Sequence, residues 1–233
     1  MSAGDAAVVL ACESAAIAAP GADRPALVVD LHLAAADLVL VDAADAEQER
    51  LLADAVCGLV APLAGRVVFL GRDWRQQTIE HANALRGRIG HVFRSGGWVP
   101  YLSVHDNVLL QQLHHTRRAY GELRDQAARL AARFGLPGLP MARPAELAPA
   151  DLQRAAYVRA FLGSPSLVIV ESGGRIGEGL LEPLVETMRE ARDRDAAVLW
   201  LADEPWLLRD AALPATRHLR LRGRELVDVE LAA

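Results

Sequence analysis

Residues 144–172 read PAELAPADLQRAAYVRAFLGSPSLVIVES. Pro149 stands where a first helical turn tolerates proline, so LQRAAYVRAFLG is predicted to be a helix that Pro149 opens. Leu167, Val168, Ile169 and Val170 then form a short apolar run, the pattern of a buried strand, closed by Glu171 and Ser172. A helix delivering the chain into a buried strand is the unit from which the rest is read.

Toward the C-terminus the alternation continues. LLEPLVETMREARDRD is helical, AAVLWLA is a strand, a short helix follows, and RHLRLR and GRELVDVEL are strands. Toward the N-terminus lies RIGHVFRSGGWVPYLSVHDNVLL (88–110), a strand followed by a helical stretch. Between the two segments, AYGELRDQAARLAARFG places Leu123, Ala127, Leu130, Ala131 and Phe134 on one face, with Gly135 as a C-cap. The first third carries short strands at 6–12, 26–33 and 37–43. The helical EQERLLADAVCGLV follows, punctuated by Gly58 and Pro62, and then the strand GRVVFLGRDW. Strands alternating with helices predict an α/β fold with a parallel core sheet and flanking helices. The helical block from about Ser95 to Pro149 predicts an inserted subdomain. The expectation is one domain over 1–233, with its core at about 1–94 and 155–233 and a helical subdomain at about 95–154.

Composition narrows the chemistry. The chain has 233 residues, and all 25 of its basic residues are arginine; lysine is absent. No Schiff-base lysine, lysine general base or phosphate-binding P-loop lysine is available. The formal net charge of -5 repels nucleic acid. No apolar run reaches the ~18 residues of a spanning helix, and MSAGDAAVVLACE lacks the basic start of a signal peptide. Cys12 and Cys57 stand far apart with no CxxC, which fits a reducing, cytoplasmic setting.

The two quoted segments resemble the Q-loop and the signature-to-Walker B region of ABC transporter ATPases, and AAVLWLADEP (196–205) resembles that family's strand and switch-histidine loop. Order and spacing agree over nearly the whole chain. The resemblance implies a P-loop NTPase-like fold with an antiparallel β portion, and a cytoplasmic subunit peripheral to the inner membrane. It also implies docking on a membrane permease and a homodimer or heterodimer with another ATPase-like subunit. ATP and Mg are the cofactors implied if any nucleotide binding remains. The style of SGGWVPYLSV is nearest to ATPase subunits of MCE-linked lipid transporters.

Each position that carries the family's chemistry departs from its pattern. In a P-loop, glycines let amides curl around phosphates, a lysine reaches them, and a hydroxyl holds Mg²⁺. The equivalent stretch here is DAADAEQER (42–50), with no glycine. Gln48 falls at the lysine position and Glu49 at the hydroxyl position. Asp42, Asp45, Glu47 and Glu49 are opposed only by Arg50. Two unit charges ~4 Å apart repel by about 4 kcal/mol at an effective dielectric near 20, whereas acids at a helix N-terminus gain about 0.3–1 kcal/mol each. A capped helix start is therefore expected. The Walker B pair is replaced by Glu171 and Ser172, and serine cannot act as a carboxylate base. The signature tip reads Ala148, Pro149, Ala150 and Asp151, which offers no hydroxyl, one missing N–H and a charge of the wrong sign. Arg94 replaces the Q-loop glutamine, Asp203 the switch histidine, and Glu178 stands at the usual D-loop aspartate. No aromatic residue stands at 14–25 to stack on a base.

By the same resemblance, Trp98, Pro100, Tyr101 and Leu102 would face the permease as an aromatic-rich docking surface; packing inside the helical subdomain is the other reading. His114 and His115 are adjacent and do not make an i,i+4 metal pair, and no metal site is expected. Cys57 is expected in the core. The expected function is a non-catalytic scaffold or regulator of a bacterial ABC transporter. The alternatives are a weak ATPase with unconventional ligands, Arg50 or Arg94 on phosphate and Glu171 for metal, and a soluble interaction module no longer tied to transport. A P-loop and a signature altered in one chain would impair both composite sites of any dimer it joins.

Overall fold

The computed structural model describes residues 7–43, 45–171, 176–202 and 213–229. Its strands are β1 (Val8–Ile17), β2 (Leu27–Ala34), β3 (Leu38–Asp42), β4 (Ala64–Phe69), β5 (Arg72–Asp73), β6 (Ile89–Val92), β7 (Leu167–Glu171), β8 (Ala197–Ala202), β9 (Arg217–Arg222) and β10 (Glu225–Asp228). Its helices are α1 (Ala46–Val56), α2 (Ile79–Arg86), α3 (Val104–His115), α4 (Tyr120–Arg133), α5 (Pro149–Phe161) and α6 (Leu181–Arg192). The strands form one sheet in the order β5-β4-β1-β2-β10-β9-β3-β8-β7-β6.

Two kinds of pairing meet in that sheet. β3, β8, β7 and β6 pair in parallel, and β9 joins β3 in parallel. β1 pairs antiparallel with both β2 and β4. The expected P-loop NTPase-like α/β core, with its antiparallel portion, is the fold formed. β7 and β8 are buried at every position, as strands covered on both faces must be.

The alternation along these strands divides the core. Leu38, Leu40, Val168, Val170, Val198 and Trp200 point to the face covered by α3, α4, α5 and α6. Val39, Val41, Leu167, Ile169, Leu199 and Leu201 point to the face covered by α1 and the antiparallel strands. Each such side chain, fully buried, contributes about 1.5–3 kcal/mol. At the α5 contact, a Cβ on Gly90 of β6 would collide with the Ala160 carbonyl, so glycine permits the close approach.

The helix α2 was not anticipated. TIEHANALR (78–86) has a weak apolar face, and only Ala82 is buried. Its signal is the N-cap, where the Thr78 hydroxyl accepts from the His81 N–H at 3.3 Å. The short helix expected after β8 lies outside the described residues.

Candidate functional site

The chain leaves β3 at Asp42 and enters α1 at Ala46. Asp45 is the N-cap, its Oδ1 accepting from the N–H groups of Glu47 at 2.8 Å and Gln48 at 3.3 Å. Asp42 accepts from Arg220 Nε at 2.6 Å. The Gln48 amide donates to the Gly223 carbonyl at 2.8 Å, in the turn between β9 and β10. Arg50 lies on the solvent side, 3.5 Å from Asp54.

Glu49 goes the other way. It shares the inner face of α1 with Leu52 and Ala53, and it is buried. A carboxylate placed there needs a cation. Arg94 supplies it: Nε donates to Glu49 Oε2 at 3.0 Å, and Nη2 reaches the same oxygen. The residues that the resemblance aligns with the P-loop hydroxyl and the Q-loop glutamine thus form an ion pair, with Glu49 fully buried and Arg94 half-buried.

Glu171 closes β7. Its Oε1 lies 2.5 Å from His91 Nε2, and its Oε2 accepts from the Arg94 backbone N–H at 3.4 Å. His91 pairs with Ile169 in the β6–β7 register, so Glu171, two residues on, projects from the same face. Phe93 stacks on the His91 ring with centroids 3.9 Å apart. On its other side His91 Nδ1 is 3.9 Å from Cys57 Sγ. Burial pushes the Cys57 thiol up to about 12, with Asp54 and Glu171 adding to the shift. Ser172 and Asp203 lie outside the described residues.

The tip at 148–151 forms the start of α5. Ala148 is the N-cap without a side-chain bond, and Pro149 occupies the first turn. The N–H groups of Asp151 and Leu152 turn back to the Ala148 carbonyl. Asp151 pairs with Arg154 at 2.7 Å. Gln153 accepts from the Gly177 N–H at 3.0 Å, and Glu178 is exposed. A cavity of about 620 Å³ lies between this helix start, Arg94, Trp98 and Glu171.

From Arg94 the chain turns through Gly96 and Gly97, both in the left-handed region at φ 71° and 68°. The next residues are knit to α3 by Asn107. Its Oδ1 accepts from the Val99 N–H at 2.8 Å, and its amide donates to the carbonyls of Val99 and Ser103. Arg159 of α5 donates to the Gly97 carbonyl and stacks under Trp98 at 4.3 Å. Trp98 and Leu102 are therefore half-buried, whereas Pro100 is exposed and Tyr101 is 73% exposed. Beside them runs a groove of about 530 Å³ lined by Leu59, Phe93, Val99 and Leu110, and also by His114 and His115. The two histidine rings touch edge to face at 4.7 Å. Desolvation, the neighbouring His114 and Arg86 hold the His115 pKa down.

The partners that sequence reading missed are His91, Arg220 and Gly223. The strand register offered a signal for His91, because it and Glu171 lie on paired strands. Arg220 and Gly223 carried none. No helix among the described residues is long and apolar enough to cross a membrane.

Residues 51–171 match a family model described as ABC transporter. The molybdenum import ATP-binding protein of Rhizobium johnstonii is 30% identical over 69% of this chain and 48% of its own length. The lipoprotein-releasing system ATP-binding protein of Idiomarina loihiensis is 25% identical over 70% of this chain and 73% of its own. The chain thus spans about half the length of the molybdenum relative. The dimeric structure of a bacterial ABC transporter cassette superposes with a TM-score of 0.83 at 18% identity, covering 96% of this chain and 99% of that one.

Proposed function

The chain belongs to the ABC transporter family, and from that membership we propose that it is a bacterial transporter's ATP-binding-cassette subunit in a non-catalytic, scaffolding or regulatory role. The observation that carries this reading is the ion pair between Glu49 and Arg94. In the family the first of those positions carries the hydroxyl that holds Mg²⁺; here a carboxylate and a guanidinium are turned on each other. The residues present do not fit Mg-ATP. The stretch has no glycine, Asp42 and Glu49 are paired with Arg220 and Arg94 rather than opposed by Arg50 alone, Gln48 is bonded to Gly223, and Glu171 is held by His91.

The subunit sits on the cytoplasmic side of the inner membrane and pairs with a second ATPase-like subunit. A permease docks on it at Pro100 and Tyr101 and along the neighbouring groove, with Trp98 and Leu102 supporting that surface from below. The cargo class is lipid, on the likeness of SGGWVPYLSV to MCE-linked transporters. Calorimetric titration of the chain with Mg-ATP tests the central claim. The expected result is no saturable heat; a micromolar dissociation constant overturns it. Co-purification with a polytopic membrane protein after mild detergent extraction, lost on Tyr101→Ala, tests the docking claim.

A further inference from the structure

Cys57, His91 and Glu171 come from three elements and meet in one line. Cys57 is the C-cap of α1, His91 lies on β6 and Glu171 ends β7. His91 Nε2 is 2.5 Å from Glu171 Oε1, and His91 Nδ1 is 3.9 Å from Cys57 Sγ. A carboxylate only accepts hydrogen bonds, so Glu171 fixes the imidazole proton on Nε2. The Nδ1 lone pair is left facing the thiol. Phe93 stacks on the imidazole ring, and the Arg94 backbone N–H holds the second oxygen of Glu171. Nucleophile, base and orienting carboxylate in this order are the arrangement that makes a protonated side chain reactive.

The other charged groups about the thiol are Asp54 of α1 and Arg86 of α2. Arg86 donates to the carbonyls of Cys57 and Gly58 at 3.0 and 2.7 Å, which sets a cation beside Sγ where negative charge would develop. Burial pushes the thiol up to about 12, so it rests protonated and reacts only through a base. Cys57 and His91 both line the groove of about 530 Å³. Cys57 is 6% exposed there, and the apolar Leu59, Phe93 and Leu110 are 59%, 38% and 44% exposed. Cys12 is the contrast: it is 0% exposed and does not line the groove.

We propose that Cys57 is a covalent acylation site, which takes an activated acyl group (a thioester or ester) whose apolar chain lies on Leu59, Phe93 and Leu110. Sγ attacks the carbonyl carbon while His91 Nδ1 takes the thiol proton. The C–S bond forms, the bond to the leaving group breaks with its electron pair, and His91 returns the proton to the departing oxygen or sulfur. The products are S-acylated Cys57 and the free alcohol or thiol. His91 is the base and Glu171 a positioning residue. The step needs no nucleotide and belongs to the subunit before a partner covers the groove.

Para-nitrophenyl hexanoate and acetate, added to the full-length chain, test this, with nitrophenolate release read by absorbance and the acylated residue by peptide mass spectrometry. One hexanoyl group is expected on Cys57 and none on Cys12, with hexanoate at least about 10-fold faster than acetate. Leu110→Arg should remove that preference. His91→Gln, shown to be folded by its melting temperature, should slow acylation at least about 100-fold. In Glu171→Gln the amide oxygen keeps the Arg94 N–H and its NH₂ group meets Nε2, which imposes the wrong tautomer and should also slow the step. Between pH 7 and 9 the native rate should rise by less than about tenfold per pH unit. Both variants should follow the thiolate, at about tenfold per unit. No acylation of Cys57, labelling of Cys12 at an equal rate, a native rate that follows the thiolate, or a His91→Gln rate equal to the native one overturns the proposal.

Discussion

Gln48 and Gly223 stand 175 residues apart, and a 2.8 Å hydrogen bond runs from the Gln48 side-chain amide to the Gly223 carbonyl. The side chain that the resemblance aligns with the P-loop lysine is thus directed to the turn between β9 and β10. Restoring a lysine there does not restore the site, because the glycine-free backbone and its acids remain. Gln48→Lys is expected to show no saturable Mg-ATP binding by calorimetry. A micromolar affinity in this single variant would show that lysine was the only missing part.

Removing Arg94 leaves the Glu49 carboxylate buried without that cation. Losing one partner of a buried pair costs about 3–5 kcal/mol, and the partial exposure of Arg94 lets water offset part of it. Arg94→Gln is therefore expected to lower stability by about 2 kcal/mol in urea unfolding. Arg94→Gln combined with Glu49→Gln should recover most of that loss. A double variant no more stable than the single one argues that the charge pair is not the cause.

Much of this was legible in the sequence, and the limit falls at a definite place. Leu167–Val170 and the 196–202 run announced buried strands by continuous apolar character. Leu123, Ala127, Ala131 and Phe134 announced the inner face of α4. The candidate site positions were picked out from the spacing that the resemblance keeps around them. Their present partners were not. Asp42 meets Arg220 178 residues away and Glu49 meets Arg94 45 away, pairings set by strand order and helix rotation rather than local pattern. Trp98 was read as docking surface, with packing inside the helical subdomain as the other reading; its half-buried place over Arg159 depends on α5 and has no local sign.

The two thiols make stability fall at alkaline pH. Burial, aided by nearby acids, lifts both Cys12 and Cys57 from 9.0 to about 12. Above pH 9 the unfolded chain releases those protons and the folded chain keeps them. Stability is therefore full below pH 9 and falls between 9 and about 12, by up to about 1.4 kcal/mol per pH unit per thiol. Tyr157, lifted from 10.0 to about 12 by burial, adds to the slope above pH 10, and no lysine titrates in the same window. Urea unfolding at a series of pH values should show a smaller alkaline loss in Cys12→Ala/Cys57→Ala. Parallel curves for the two proteins would refute the assignment.

Gly90→Ala tests the packing of α5 on the sheet. The added methyl meets the Ala160 carbonyl, and neither strand nor helix backbone can yield cheaply. A loss of about 2–3 kcal/mol is expected, read as a lowered denaturation midpoint with an unchanged slope. A midpoint within error of the unaltered chain contradicts the close approach.

Glu49 and Arg94 also constrain which substitutions this chain can accept. Asp45, Ala148, Pro149 and Ala150 are exposed, where a change meets little of the core. This pair is core and site together. Changing Glu49 alone takes its buried carboxylate away from Arg94, and changing Arg94 alone takes that cation away from Glu49, so each single change passes through a weakened intermediate. Only a paired change that removes both charges together avoids that intermediate, so the two positions behave as one unit of sequence.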